Sequence, residues 1–179
     1  MQDRIRWELD PTHTQIEFKV KHLMITNVKG QFNKFELDAT TSGNDFTTAD
    51  ITFRIDPNSI NTSNDDRDKH LRSADFFDVE NHGEMLFKST SVEKAGEDLY
   101  KLKGDLTIRG ISKQVELDVE YNGLMTDPWG NHKAGFTIEG NINRKDWGLN
   151  WNAALEAGGW LVGDNVKINC DVQLIRKVQ

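Results

Sequence analysis

Apolar side chains recur at every second position through most of this chain. Ile16, Phe18 and Val20 share one face of an extended segment, with Glu17, Lys19 and Lys21 opposite. Val28, Gly30 and Phe32 continue in a second segment, after which the phase slips to Phe35 and Leu37, as a bulge near Asn33-Lys34 would produce. Ile51, Phe53 and Ile55 form a third run ending at Pro57, and Met85 and Phe87 start a fourth. Tyr100, Leu102, Leu106 and Ile108 share a face, as do Val115, Leu117, Val119 and Tyr121. Phe136, Ile138 and Ile142 supply another run, and Val166, Ile168, Cys170, Val172 and Leu174 close the chain. Alternation of this kind predicts strands with one dry and one wet face.

Turn signals lie between the runs: Ser42-Gly43-Asn44, Arg109-Gly110, Asn122-Gly123, Asp127-Pro128-Trp129-Gly130 and Gly163-Asp164. Nothing alternates strand with helix, so the sheet is expected to be antiparallel and rich in hairpins. No repeat or linker divides residues 1–179, which are read as a single domain. About eight such strands close into a barrel or fold into a sandwich, and closure removes the exposed edges. An eight-stranded barrel has room for packed side chains or one slim ligand. Periodicity leaves a filled and a hollow interior equally open.

Two segments break the pattern. Asp66–Asp78, DRDKHLRSADFFD, crowds Arg67, Asp68, His70 and Arg72 into one polar stretch that runs into Phe76-Phe77. Ser63 followed by Asp66 reads as the start of a short helix. Asn152–Gly159 holds Ala153, Ala154 and Leu155 before Gly158-Gly159, a helix with its stop. Trp147, Trp151 and Trp160 surround it, either as a plug for one end or as the aromatic lining of a ligand mouth.

The chain has 179 residues, 36% hydrophobic and 28% charged, which suits a folded globular domain. A net charge of −7 with no basic stripe to bind phosphates argues against a nucleic-acid partner. Cys170, alone of its kind, excludes an internal disulfide and a CxxC zinc site and is read as a buried, inert thiol. His13, His22, His70, His82 and His132 are scattered, with no metal-ligand spacing. No nucleophile elbow, P-loop or dinucleotide fingerprint occurs. No run of about 20 apolar residues supplies an integral membrane segment.

Four ordered stretches carry a family resemblance: WELDPTHTQIEFKVKHLMITNVKGQF (Trp7 to Phe32), DRDKHLRSADFFDVENH, GDLTIRGISKQVEL (Gly104 to Leu117) and NRKDWGLNW. Together they resemble the YceI-like family of lipocalin-like barrels associated with polyisoprenoid binding. The resemblance covers nearly the whole chain. It departs at Asn81-His82-Gly83, where family members often carry an aromatic and a proline. Many members also have a signal peptide and work in the periplasm. Residues 1–30 hold no apolar block of the roughly 7–15 residues such a peptide needs, so the expectation is a cytoplasmic protein.

The resemblance implies an all-β, eight-stranded antiparallel lipocalin-like barrel with one or two short helices. It implies binding, transport or sequestration of a long-chain apolar lipid (a polyisoprenoid, an isoprenoid quinone or a fatty amide), with no catalysis and no cofactor beyond that lipid. It also admits a homodimer. The expected wall is Ile16, Phe18, Val20, Phe32, Phe53, Phe76, Phe77, Phe87, Phe136, Trp147 and Trp151, each of which plain core packing would equally explain. For a polar or anionic head group the expected contacts are Arg67, His70 and Arg72, then Arg144; the competing reading is a solvated helix face or structural ion pairs. Two rivals stand beside the carrier. One is an enzyme using the same cavity with His70 and Asp68 as acid–base groups; the other is a stress-linked structural protein with a filled core.

Overall fold

In the computed structural model, which describes residues 4–156, 159 and 161–178, the alternating runs become one closed antiparallel barrel of eight staves. The strands are β1 (Arg4–Leu9), β2 (Gln15–His22), β3 (Thr26–Phe32), β4 (Phe35–Ser42), β5 (Asp45–Ile55) and β6 (Ile60–Asn61). After a helix, α1 (Asp65–Arg72), come β7 (Met85–Gly96), β8 (Leu99–Ile108), β9 (Ile111–Thr126), β10 (His132–Asn143) and β11 (Val162–Val178). The strands outnumber the staves because β1 and β2, β3 and β4, and β5 and β6 each lie end to end. β11 pairs with β2 from Val162 to Asp171 and with β1 from Leu174 to Val178, which closes the cylinder.

Both breaks near the start of the chain change which residues face inward. Between β1 and β2, Asp10 caps a 3-10 turn over Pro11–His13 by accepting the Thr12 amide, while Thr14 Oγ1 donates to the Asp10 carbonyl. Leu9 lies opposite Leu174 and Ile16 opposite Cys170, so odd positions face inward before the turn and even positions after it. The expected phase slip at Asn33-Lys34 is also real. It separates β3 from β4, and both residues' amides donate to Ser59 Oγ on the 3-10 turn Pro57–Ser59.

The first helix forms where expected but starts differently. Ser63 takes a left-handed φ of 64°, and Asn64 is the cap, its side chain accepting the Arg67 amide. Asp65, Asp66 and Asp68 fall in the first turn and complement the helix dipole. The second expected helix does not form among the described residues of Asn152–Gly159. Leu155 donates to the Gly159 carbonyl and Leu161 to that of Ala153, a tight reversal. Asn152 pins it, its side chain donating to the Val162 carbonyl and accepting the Val162 amide. These bonds override the helical preference of Ala153, Ala154 and Leu155; Gly158 and Trp160 lie outside the described residues.

Candidate ligand cavity

The inward faces of the staves do not meet. They enclose a cavity of about 580 Å³, inside the range of roughly 300–1,000 Å³ common for small-molecule sites. Ile16, Phe18, Val20, Phe32, Phe53, Phe76, Phe77, Phe87, Phe136 and Trp151 all line it. Cross-strand packing keeps the lumen clear. The tip of the Phe18 ring lies so close to Gly30 that a Cβ there would come within 2.3 Å of it, and at Gly104 a Cβ would come within 2.5 Å of both Phe87 Cζ and the Lys88 carbonyl. Cys170 also reaches the wall, and burial pushes its thiol up to about 12, leaving it protonated and inert.

Trp147 is not on the wall. It sits in the 3-10 turn Arg144–Trp147, only 2% exposed, with its indole N–H donating to the Leu106 carbonyl at 2.8 Å. A buried indole needs such an acceptor, and this one draws the ring into the packing between β8 and the turn.

The end holding the β4–β5 turn has an aromatic floor. Phe46, near the start of β5, has its ring centroid 5.7 Å from Trp7, 4.9 Å from Tyr121, 5.2 Å from Phe136 and 6.2 Å from Tyr100. The Trp7 indole N–H is satisfied by Thr41 Oγ1 at 2.8 Å. Burial, then the charge of Asp98 and the neighbouring Tyr100, raises the Tyr121 phenol above its usual range. Phe46 and Trp7 escape a reading of the strongest alternating runs, although Ile5-Trp7-Leu9 carries a shorter alternation of its own.

The opposite end is the polar one. Here α1 and the Trp151–Val162 reversal meet, and Lys21, His22, Asp66, Arg67 and His70 join the lining. Arg67 donates from Nε to Thr62 Oγ1 (2.7 Å) and from Nη2 to the Thr62 carbonyl (2.5 Å). Thr62 in turn donates its hydroxyl and amide to buried Asp68. The His70 ring stands edge-on to Trp151 (4.5 Å) and Phe76 (5.1 Å), and its Nε2 meets Asp75 Oδ2 at 3.0 Å. His70 and Asp68, the acid–base groups of the rival enzyme reading, thus have separate partners, Asp75 and Thr62.

The other two expected head-group cations are placed elsewhere. Arg72 turns away from the lining and donates to the carbonyls of Asn58 and Ile60 in the loop leading to α1. Arg144 borders the cavity but is 3% exposed. Its guanidinium donates to the carbonyls of Gly163, Leu149, Trp151 and Val162, clamping the reversal onto the barrel. Burial lowers its pKa, partly offset by Asp164. Among the described residues no cluster of His, Cys, Asp and Glu is built to hold a metal, and no helix is long and apolar enough to cross a membrane.

The rim of this end includes an unusual turn. Leu23 and Met24, between β2 and β3, both adopt left-handed backbone, with φ of 53° and 62°. Such turns favour Asn-Gly, and each ordinary residue held there costs roughly 1–2 kcal/mol. Leu23, Met24 and Ile25 are nonetheless large, apolar and exposed by 39%, 60% and 76%. The Leu23 amide donates to the Leu161 carbonyl, fixing the turn to the reversal at the mouth.

Comparison with known proteins gives this architecture its relatives. A family model described as a YceI-like domain matches residues 7–174. A UPF0312 protein of Staphylococcus epidermidis is 40% identical over 169 residues, covering 94% of this chain and 96% of its own. The crystal structure of a Campylobacter jejuni YceI protein is 32% identical, with a TM-score of 0.75 over 94% of this chain and 96% of that one. A polyisoprenoid-binding domain from Saccharophagus degradans, implicated in plant cell wall breakdown, shares the fold at a TM-score of 0.69 and 16% identity, covering 96% and 98%.

Proposed function

This chain belongs to the YceI-like family, and from that premise we propose that it is a non-enzymatic carrier that holds the apolar chain of one long lipid inside its barrel. The observation that carries the reading is the cavity: mostly aromatic and aliphatic along its length, floored by Phe46 and Trp7, with Lys21, His22, Asp66, Arg67 and His70 toward the other end. The polyisoprenoid-binding domain of the same fold makes an isoprenoid chain the first candidate, followed by a quinone tail or a fatty amide. Burying a chain of about 40 carbons at about 0.8 kcal/mol each would give about 30 kcal/mol, more than the ceiling of roughly 18–21 kcal/mol for any non-covalent complex. Part of a chain that long therefore stays outside or loses its gain to ordering.

Selectivity then rests at the mouth, because a tail leaving a bilayer gains little from a second apolar space. Arg67 and His70, which line the cavity at that end, are the groups we assign to a head group. The test is titration with an isoprenoid quinone, a polyprenyl phosphate and a fatty amide, read by Trp151 fluorescence. All three tails are expected to quench it, and Arg67→Ala with His70→Ala should weaken the phosphate about tenfold or more while leaving the quinone nearly unchanged, a charged hydrogen bond being worth about 1.5–3 kcal/mol. Equal losses for both would remove the head-group role; no uptake of any tail would reject the carrier.

A further inference from the structure

We propose that the β2–β3 tip is a bilayer-docking element that seats the cavity mouth on an anionic lipid surface. The inference takes from the preceding reading only that the mouth is where cargo passes. Three observations carry it.

Leu23 and Met24 break two local rules at once. Their left-handed backbone suits Asn and Gly, and their exposure suits polar side chains. With Ile25 they form an exposed apolar tip, Met24 resting its sulfur against Gly159 of the reversal, that turn geometry does not call for, and sites that break local rules together are where function is expected. Charge supplies the second observation. Lys19, Lys21, Lys29 and Lys34 lie between Glu17 and Glu36 with no acid among them. The hairpin Gln15–Phe32 holds Lys19, Lys21 and Lys29 against Glu17, a net +2; the whole chain carries 22 basic and 29 acidic residues, so the remainder holds 19 against 28, a net −9. Lys21 lies two residues from the tip, and Lys19 and Lys29, paired across the strands, lie four away. At ~3.3 Å per residue these are ~7 and ~13 Å back, the depth of lipid head groups when an apolar point sinks ~5–10 Å. The acids of this end sit on α1, on the turns after it and on the β10–β11 side, where Asp164 pairs with Arg144 and Lys145, while Glu17 on β2 lies six residues from Leu23.

Place is the third. The hairpin is part of the mouth: Lys21 and His22 line the cavity, and Leu23 is bonded to Leu161, also on the wall. A tip buried in the bilayer would join its apolar interior to the cavity without passing cargo through water. Of the other exposed apolar side chains among the described residues, Trp129 (83%), Met125 (76%) and Leu99 (47%) lie at the floor end, away from that path, and Ile111 (39%) lies at the β8–β9 turn, its Cδ1 beside Gly148. The turn carrying Trp129 is organised by Asp127, which accepts the Trp129 and Asn131 amides, so its shape has a local explanation.

The experiment is flotation of the full chain with vesicles of phosphatidylcholine alone or with phosphatidylglycerol, with and without ~1 M salt, where the screening length shrinks to ~3 Å. Wild type should float with the phosphatidylglycerol vesicles and be released by salt. Leu23→Asn with Met24→Gly should reduce that binding at least tenfold while the melting temperature holds or rises, since the turn is relieved. Lys19→Gln with Lys29→Gln should remove the preference for phosphatidylglycerol, and Trp129→Ser should change nothing. No flotation, flotation untouched by the tip variant, or loss in the Trp129 variant overturns the proposal. So does a dimer in sedimentation that the tip variant converts to monomer, which would assign the tip to a second copy of the chain. Flotation is read without cargo, so its failure beside normal quinone uptake refutes docking alone, and flotation without uptake refutes the carrier alone.

Discussion

Single side chains at this barrel divide into those that hold the wall and those that face the lumen, and chemistry alone does not sort them. Arg67 and Arg72 occupy one helix, yet Arg67 reaches the mouth while Arg72 stitches backbone carbonyls at Asn58 and Ile60. Asp10 illustrates the holding kind. Burial would raise its pKa, but bonds from Lys133 (2.8 Å), Thr12 and His13 outweigh that and keep the carboxyl well below the usual carboxylate range. A carboxyl depressed on folding stabilises the protein above its unfolded pKa of ~3.9, and the contribution fades as pH falls through the folded value. Asp10→Asn should keep the cap, leave Lys133 with Asp127 (3.5 Å) as its remaining carboxylate and lower Tm at pH 7 by a few degrees, about 2–4 °C per kcal/mol lost. Melts recorded from pH 7 to 3 should show that gap narrowing below pH ~4. A gap that stays constant would mean the charge is not what matters at the kink.

At the scale of elements, the strands were legible wherever alternation ran long, as in β2, β3, β8, β9 and β11. The break at Asn33-Lys34 was legible as a change of phase. The β2–β3 turn was not, because Leu23-Met24 carries no Gly, Asn or Pro to announce it. The failed helix at Asn152–Gly159 has the opposite cause: local preference pointed one way, and a single asparagine bonded twice to Val162 pointed the other. Trp147 could not be separated from Trp151 by sequence, since both are aromatics four residues apart between β10 and β11 and only their packing partners differ. The β2–β3 hairpin offers a direct test of how pairing shapes the lumen. Gly30→Val places carbon where the Phe18 ring now lies and drives that ring inward. The variant should fold, at a cost of about 1–3 kcal/mol from overpacking, and bind a quinone tail at least tenfold more weakly. Full uptake by a folded Gly30→Val protein would show that cargo never reaches Phe18.

Across the whole molecule, the barrel has one closed and one polar end, and the cavity between them is what the sequence left undecided. Alternation fixes which side chains face inward but not whether they meet, because that depends on stave count, tilt and the glycines beneath Phe18 and Phe87. The account therefore stands on the interior being space for cargo. Native mass spectrometry of protein purified without detergent, followed by organic extraction of whatever it carries, tests this most directly. The account predicts one long-chain lipid per barrel, either retained through purification or taken up when quinones, polyprenyl lipids and fatty amides are offered to the stripped protein. A barrel that comes through empty and stays empty with all three would contradict it.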